Sequence, residues 1–157
     1  MIEARRATLD DVAELVRLRA VMQSAINGEP APPGPWMDTS ASVLCARFAE
    51  PEPTLAAFVV ERPGDPGHLA SCAVGTIEQR LAAPDNPSGR VGYLFSVATD
   101  EDMRRRGYSR ACVSALLDWY RERGVTKVDL RASVDAEPLY RSLGFIRTAD
   151  PAMRLSM

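Results

Sequence analysis

Arg104 to Arg110, in the order Arg-Arg-Arg-Gly-Tyr-Ser-Arg, gathers arginines around one glycine and one serine where an acidic turn runs into a long helical pattern. Such a junction can hold an anion. The first N–H groups of a helix lack internal acceptors, the macrodipole favours negative charge there, and a glycine admits a phosphate with no Cβ in its path. An arginine run is also how a solvated helix face reads, so this segment alone leaves phosphate binding and plain turn chemistry both open. Tyr140, on a short helical pattern, is a second candidate. A phenol of ordinary pKa ~10 stays protonated at neutral pH and can donate its proton, whereas a tyrosine that only packs is half-buried with its hydroxyl at the surface. Glu78 closes a strand pattern and reads as a candidate base or as a solvated strand end. Asp38, beside Trp36, suits a bound amine with the ring lining a pocket, or it caps a helix.

Other chemistry is excluded or weakened by what the chain lacks. His68 is the one imidazole and sits in Arg62-Pro-Gly-Asp-Pro-Gly-His, a turn sequence. Cys45, Cys72 and Cys112 are odd in number and widely spaced, which reads as three reduced thiols with neither disulfide nor metal. Lys127 is the only lysine. That argues against a lysine-centred phosphate site and against Schiff-base chemistry, and neither a Walker Gly-Lys-Ser/Thr nor a Gly-x-Gly-x-x-Gly follows the first strand pattern.

Elements to position these residues are legible in the periodicity. Ile2 to Arg6 reads as a short strand, and Thr8-x-x-Asp11 as a helix start. Val12, Leu15, Val16, Leu18 and Met22 form an apolar stripe that ends near Asn27-Gly28. Glu29 to Pro35 reads as loop, with Asp38 or Ser40 capping a second helix that Pro51 and Pro53 close. Leu55 to Glu61, Leu69 to Glu78 and Val91 to Thr99 are strand-like runs joined by turn-rich segments, the pattern of an antiparallel meander. A helix over Ser109 to Arg123, a strand over Val125 to Arg131, a short helix over Asp135 to Leu143 and a terminal strand-like run from Phe145 to Met157 follow. The expectation is a single domain over residues 1–157 of α/β (α+β) class, with one mixed, mostly antiparallel sheet flanked by helices.

The chain has 157 residues, 46% hydrophobic and 25% charged, with a net charge of −2. One core of ordinary size is expected. The charge balance is poor material for a nonspecific nucleic-acid binder, and no apolar run approaches the ~18–20 residues of a membrane span. No nucleic-acid or membrane partner is expected. The N-terminus turns charged at once and offers no signal-peptide core, so a cytoplasmic location is expected.

Arg104-x-x-Gly107-x-Ser109 resembles the Arg/Gln-x-x-Gly-x-Gly/Ala pyrophosphate signature of the GCN5-related N-acetyltransferase (GNAT) family, with Ser109 where the family has a smaller residue. About 25 residues on, Leu130 to Phe145 resembles the family's later segment, with Ala136, Tyr140 and Leu143-Gly144-Phe145 matching and Ser133 standing where many members have an asparagine. The resemblance implies a GNAT-like acyl-CoA N-acyltransferase fold and an acetyl-CoA-dependent N-acetyltransferase with no metal. It places cofactor contacts at Arg104, Arg105, Arg106, Gly107, Tyr108, Ser109 and Arg110, at the strand residues Ser96, Val97 and Ala98, and at Ser133 and Ala136. Ser109 is expected to donate its hydroxyl to phosphate, Val97 N–H to meet the oxyanion, Tyr140 to protonate the leaving thiolate, and Glu78 to act as base. Trp36 and Asp38 are the expected substrate contacts. The acceptor class is a small amine or a peptide or protein N-terminus, with a homodimer left open. A noncatalytic module of the same fold that binds CoA or acyl-CoA is the competing reading.

Overall fold

The computed structural model describes residues 1–157 and runs β1 (Arg5–Arg6), a 3-10 turn (Leu9–Asp11), α1 (Val12–Asn27), α2 (Pro35–Phe48), β2 (Leu55–Glu61) and β3 (Leu69–Gln79). It continues with β4 (Arg90–Thr99), a second 3-10 turn (Glu101–Met103), α3 (Tyr108–Glu122), β5 (Val128–Leu130) and α4 (Glu137–Ser142). The strands form one five-stranded sheet in the order β1-β2-β3-β4-β5. All pairs are antiparallel except β4 with β5, so the sheet is mixed and mostly antiparallel. No helix is long and apolar enough to cross a membrane.

Both sheet faces are covered, as the apolar strands require. Ala73 and Ile77 of β3 join Cys112, Val113, Leu116 and Tyr120 of α3 in one core cluster. Cys72 and Val74, on the alternate positions, join Leu15 and Leu18 of α1 in the other. From Ser71 onward the period of two therefore assigns odd residues of β3 to the α3 face and even ones to the α1 face, while Leu69, across the irregularity opposite Val60 and Glu61, packs on the α1 side.

Strand β4 keeps one alternation only as far as Phe95. Cys72 pairs with Ala98 but Val74 pairs with Phe95, so Ala73 faces two residues, Ser96 and Val97. This is a β-bulge, with Ser96 at φ +50°. The extra residue reverses the parity beyond it. Leu94 packs in the α3 cluster and Phe95 against the α1 cluster, yet Val97 then returns to the α3 cluster and Ala98 to the α1 cluster.

Two sequence expectations change here. Pro35 opens α2, because its fixed φ and missing N–H suit a first helical turn. Asp38 is then in that first turn rather than at the N-cap, where its charge still faces the positive helix end. The run Phe145 to Met157 is not a strand. Glu137 of α4 holds the Arg147 guanidinium at 2.7 and 3.0 Å, which draws the chain back over α4, and Pro151 removes an N–H that sheet pairing would need.

Tyr120 locks α3 to the sheet. Its hydroxyl lies 3.2 Å from Thr76 O and 3.0 Å from Tyr93 O, reaching the backbone through a recess left by Gly75 and Gly92. A Cβ on Gly92 would lie 2.7 Å from Tyr120 Cε1. Gly92→Ala should therefore cost about 1–3 kcal/mol by overpacking, read as a fall in denaturation midpoint with an unchanged m-value; a melt matching the parent would show that the ring can shift.

Candidate active site

The arginine segment folds as a loop of unpaired amides. After Thr99 the chain turns through Asp100 and the Glu101–Met103 turn, Arg104 is extended, and Arg105 and Gly107 take left-handed conformations at φ +62° and +84°. No backbone N–H from Arg105 to Arg110 has an acceptor within the protein. Successive amides in such a turn, continued into a helix N-terminus, make a concave anion site. Gly107 is the position where a side chain would be strained, since its φ of +84° disfavours any Cβ and a Cβ there would lie 3.3 Å from Ile2 Cδ1. The arginine heads lie around this point. Arg104 Nε donates to Thr99 O at 3.3 Å, Arg106 to Asp102 O at 3.3 Å, and Arg110 to Ser142 Oγ on α4 at 2.6 Å, while Arg105 makes no side-chain hydrogen bond and is exposed.

Beside the loop the sheet opens. β5 pairs with β4 only at Gly92, Tyr93 and Leu94, so from Phe95 to Thr99 the β5 side of β4 has no strand partner. The bulge lies in this stretch and is held from β3. Cys72 Sγ donates to Ser96 O at 3.3 Å, and Ser71 Oγ donates to Ala98 O at 3.0 Å. A trans peptide points its N–H opposite to its C=O. With Ser96 O directed at Cys72 of β3, the Val97 N–H of the same peptide points away from β3, toward the open edge. Burial pushes the Cys72 thiol up to about 12, so it keeps the proton it donates.

Tyr140, Tyr108, Val97 and Ala136 all pack on the α3-side cluster, so the structure brings these four to one side of the sheet. Tyr140 is buried with its ring edge-on to Phe145 at 5.8 Å, and burial raises its hydroxyl pKa. Its hydroxyl makes no hydrogen bond within the protein, yet it is not sealed off. Ala136 N–H donates to Ser133 Oγ at 3.3 Å, so Ser133 caps the turn before α4.

Two sequence-derived site residues, Ser109 and Glu78, sit differently from expectation. Ser109 Oγ is 2.6 Å from Thr99 Oγ1, so its hydroxyl is engaged with a neighbour inside the protein. Glu78 pairs with Val91 across the sheet, which puts it roughly 15–20 Å along the strands from Val97 at ~3.3 Å per residue. That is beyond the reach of direct proton transfer. It is exposed and salt-bridged to Arg80 at 3.0 Å. Trp36 and Asp38 lie on α2, which packs on α1 and β2. The Trp36 N–H donates to Pro32 O at 2.9 Å and Asp38 is exposed. His68 lies in its turn, with Nδ1 2.9 Å from Asp65. No group of His, Cys, Asp and Glu is arranged to hold a metal ion, and all three cysteines are free thiols.

Residues that sequence reasoning missed secure the loop. Asp100 accepts from Arg17 of α1 at 2.8 and 3.0 Å and from Arg62 at 3.0 Å. Arg62 also pairs with Asp102 at 2.7 Å, and Arg17 with Glu14 at 2.6 Å. Burial opposes the Asp100 charge, but the two guanidinium hydrogen bonds outweigh it and hold the carboxyl below its ordinary value. The signal available in the sequence was an aspartate ending an apolar strand. A carboxyl lowered in the folded state stabilises above its unfolded pKa of ~4, and that contribution is lost as pH falls through the folded value. Asp100→Asn should cost about 2 kcal/mol at pH 7, less than a fully buried pair because Arg17 is partly exposed. Denaturant melts at pH 7 and pH 3 should show the gap to the parent closing in acid; a constant gap would remove the charge from the account.

The family model described as the Acetyltransferase (GNAT) family matches residues 22–145, and the chain belongs to that family. Its fold is similar to that of a predicted acetyltransferase with acetyl-CoA from Clostridium acetobutylicum, at TM-score 0.82 and 22% identity, covering 99% of this chain and 96% of that one. A GCN5-related N-acetyltransferase from Ralstonia eutropha is similar at TM-score 0.79 and 21% identity, covering 99% of each chain. The glucosamine-6-phosphate N-acetyltransferase of Arabidopsis thaliana is similar at TM-score 0.76 and 16% identity, covering 99% of this chain and 98% of that one. No curated protein sequence matches.

Proposed function

We propose that residues 1–157 act as one cytoplasmic domain, an acetyl-CoA-dependent N-acetyltransferase that moves the acetyl group to a primary amine by direct attack in a ternary complex. The observation that carries this reading is the unbroken set of unpaired amides from Arg105 to Arg110 beside a half-unpaired β4. The amides of Arg105 to Arg110, with Arg104, Arg105, Arg106 and Arg110 around them, bind the diphosphate of CoA. The free edge of β4 at Ser96 to Ala98 receives the amide-bearing arm, with Ser133 and Ala136 on the far side. The Val97 N–H meets the negative charge that develops on the thioester oxygen, and a preorganised donor of this kind is a large catalytic term. Tyr140, protonated at neutral pH, supplies the proton that the departing thiolate takes up. The proton of the amine leaves by water to solvent. Three free thiols fit a reducing compartment. The acetyl-CoA of the Clostridium structure supports the cofactor, and glucosamine-6-phosphate, in the name of the Arabidopsis enzyme, supports an amine acceptor.

Calorimetry and thermal melts test the binding half. Acetyl-CoA should bind with Kd of roughly 1–100 µM and at 100 times Kd should stabilise the protein by about 2.7 kcal/mol. Gly107→Val should abolish both signals; full affinity in a folded Gly107→Val protein would move the phosphate site elsewhere.

An acceptor screen that follows CoA thiol release tests the catalytic half. Tyr140→Phe should leave acetyl-CoA affinity unchanged and lower kcat by about 10²–10⁴-fold. A kcat within a few-fold of the parent would remove Tyr140 from catalysis. No thiol release with any amine, despite tight acetyl-CoA binding, would favour the noncatalytic acyl-CoA module.

A further inference from the structure

Three hydroxyls, one of them the motif's own Ser109, connect the amide loop to the bulge, and counting protons gives their chain a direction. Ser71 Oγ is 3.0 Å from Ala98 O, which can only accept, so the Ser71 proton is spent there. Thr99 Oγ1 is 2.7 Å from Ser71 Oγ, and with the Ser71 proton used, Thr99 donates. Ser109 Oγ is 2.6 Å from Thr99 Oγ1, so Ser109 donates in turn. The chain therefore runs from Ser109, the second residue of α3, through Thr99 and Ser71 to the carbonyl of Ala98, immediately after Val97. Ser71 is fully buried and Thr99 nearly so.

This connection exists only because of the bulge. Without the extra residue, Thr99 would face α1 and could not meet Ser109 on α3. The bulge is also clamped on its other side, where Cys72 Sγ holds Ser96 O at 3.3 Å. The peptide that carries the Val97 N–H thus lies between two tethers from β3, and one of them continues to the loop. A buried hydroxyl that loses its partner is costly, so a displacement at Ser109 is passed along the chain rather than absorbed within it.

We propose that Ser109, Thr99 and Ser71 are positioning residues whose hydroxyl chain couples the diphosphate-binding loop to the orientation of the Val97 N–H against the acyl carbonyl. The inference rests on the acetyl-CoA reading above. It also assigns Ser109 an inward role: its proton belongs to Thr99, and the loop meets phosphate with backbone amides and arginines. Breaking the chain at Thr99 frees the Ser109 proton for phosphate while it loosens the bulge, so carbonyl polarisation falls without a loss of affinity. A merely structural role would weaken both together.

Isotope-edited infrared spectroscopy of acetyl-CoA labelled with carbon-13 at the thioester carbonyl reads this without an acceptor. In the parent the bound carbonyl band should lie below that of free acetyl-CoA. In Thr99→Val at least half of that shift should be lost, with Kd for acetyl-CoA within two-fold of the parent or tighter. Thr99→Ser, which keeps the hydroxyl, should restore the parent band. With an acceptor, Thr99→Val should lower kcat about tenfold, a fraction of what losing a whole oxyanion donor costs, at unchanged KM for acetyl-CoA. A Thr99→Val band equal to the parent's, a parent band at the free frequency, or a joint loss of band shift and affinity overturns the coupling while acetyl-CoA binding by the parent stands. No acetyl-CoA binding by the parent overturns the functional reading as well.

Discussion

One extra residue in β4 is the constraint on which the rest of the site depends. A strand of strict period two would send Val97 and Thr99 toward α1 and leave α3 facing only Leu94 and its even-numbered neighbours. The bulge at Ser96 and Val97 reverses that order, and three consequences follow from the single reversal. Val97 joins the cluster that also holds Tyr140, Thr99 comes to 2.6 Å from Ser109, and the Ser96–Val97 peptide turns its N–H away from β3. Holding Ser96 at positive φ costs about 1–2 kcal/mol, and hydrogen bonds from Cys72 and Ser71 to the carbonyls on either side offset it.

Charge around the amide loop is divided between holding the loop and serving it. Arg17 and Arg62 neutralise Asp100 and tie the turn to α1 and to the end of β2. Those two guanidiniums take up the Asp100 charge, while the backbone N–H groups from Arg105 to Arg110 have no acceptor within the protein. A net charge of −2 over the whole chain thus coexists with a local anion site, since field at a site is set by nearby groups and not by the total. The same network links α1, on one face of the sheet, to the N-terminal approach of α3 on the other.

The meander, the three long helices and the helix-opening loop were legible because each has a local signature. Apolar runs of strand length are separated by Pro/Gly turns, Leu15 and Leu18 repeat at helical spacing, and Arg104 to Arg110 combines charge with a glycine. What the chain hid depends on contacts distant in sequence. The bulge is invisible in Tyr93 to Thr99 because nothing local marks a register shift that β3 imposes. Ser71 has no local signature within its apolar run, since Thr99 and Ser109, the other hydroxyls of its chain, lie 28 and 38 positions away. Glu78 was placed on the correct strand, but only the register with Val91 reveals how far it lies from Val97. Phe145 to Met157 carries strand-like alternation, and the ion pair from Glu137 to Arg147 that keeps it on α4 has no local signature.

The central claim is that the unpaired amides of the loop, rather than the arginine side chains alone, receive the diphosphate of acetyl-CoA. Backbone amide resonances of the nitrogen-15-labelled protein, followed through an acetyl-CoA titration, test it most directly. The account predicts large downfield proton shifts at the amides of Arg105 to Arg110 and at Val97, with small changes on α2 and β1. Saturable binding that leaves the Arg105 to Arg110 amides unmoved, or shifts centred on any other helix N-terminus, would contradict it.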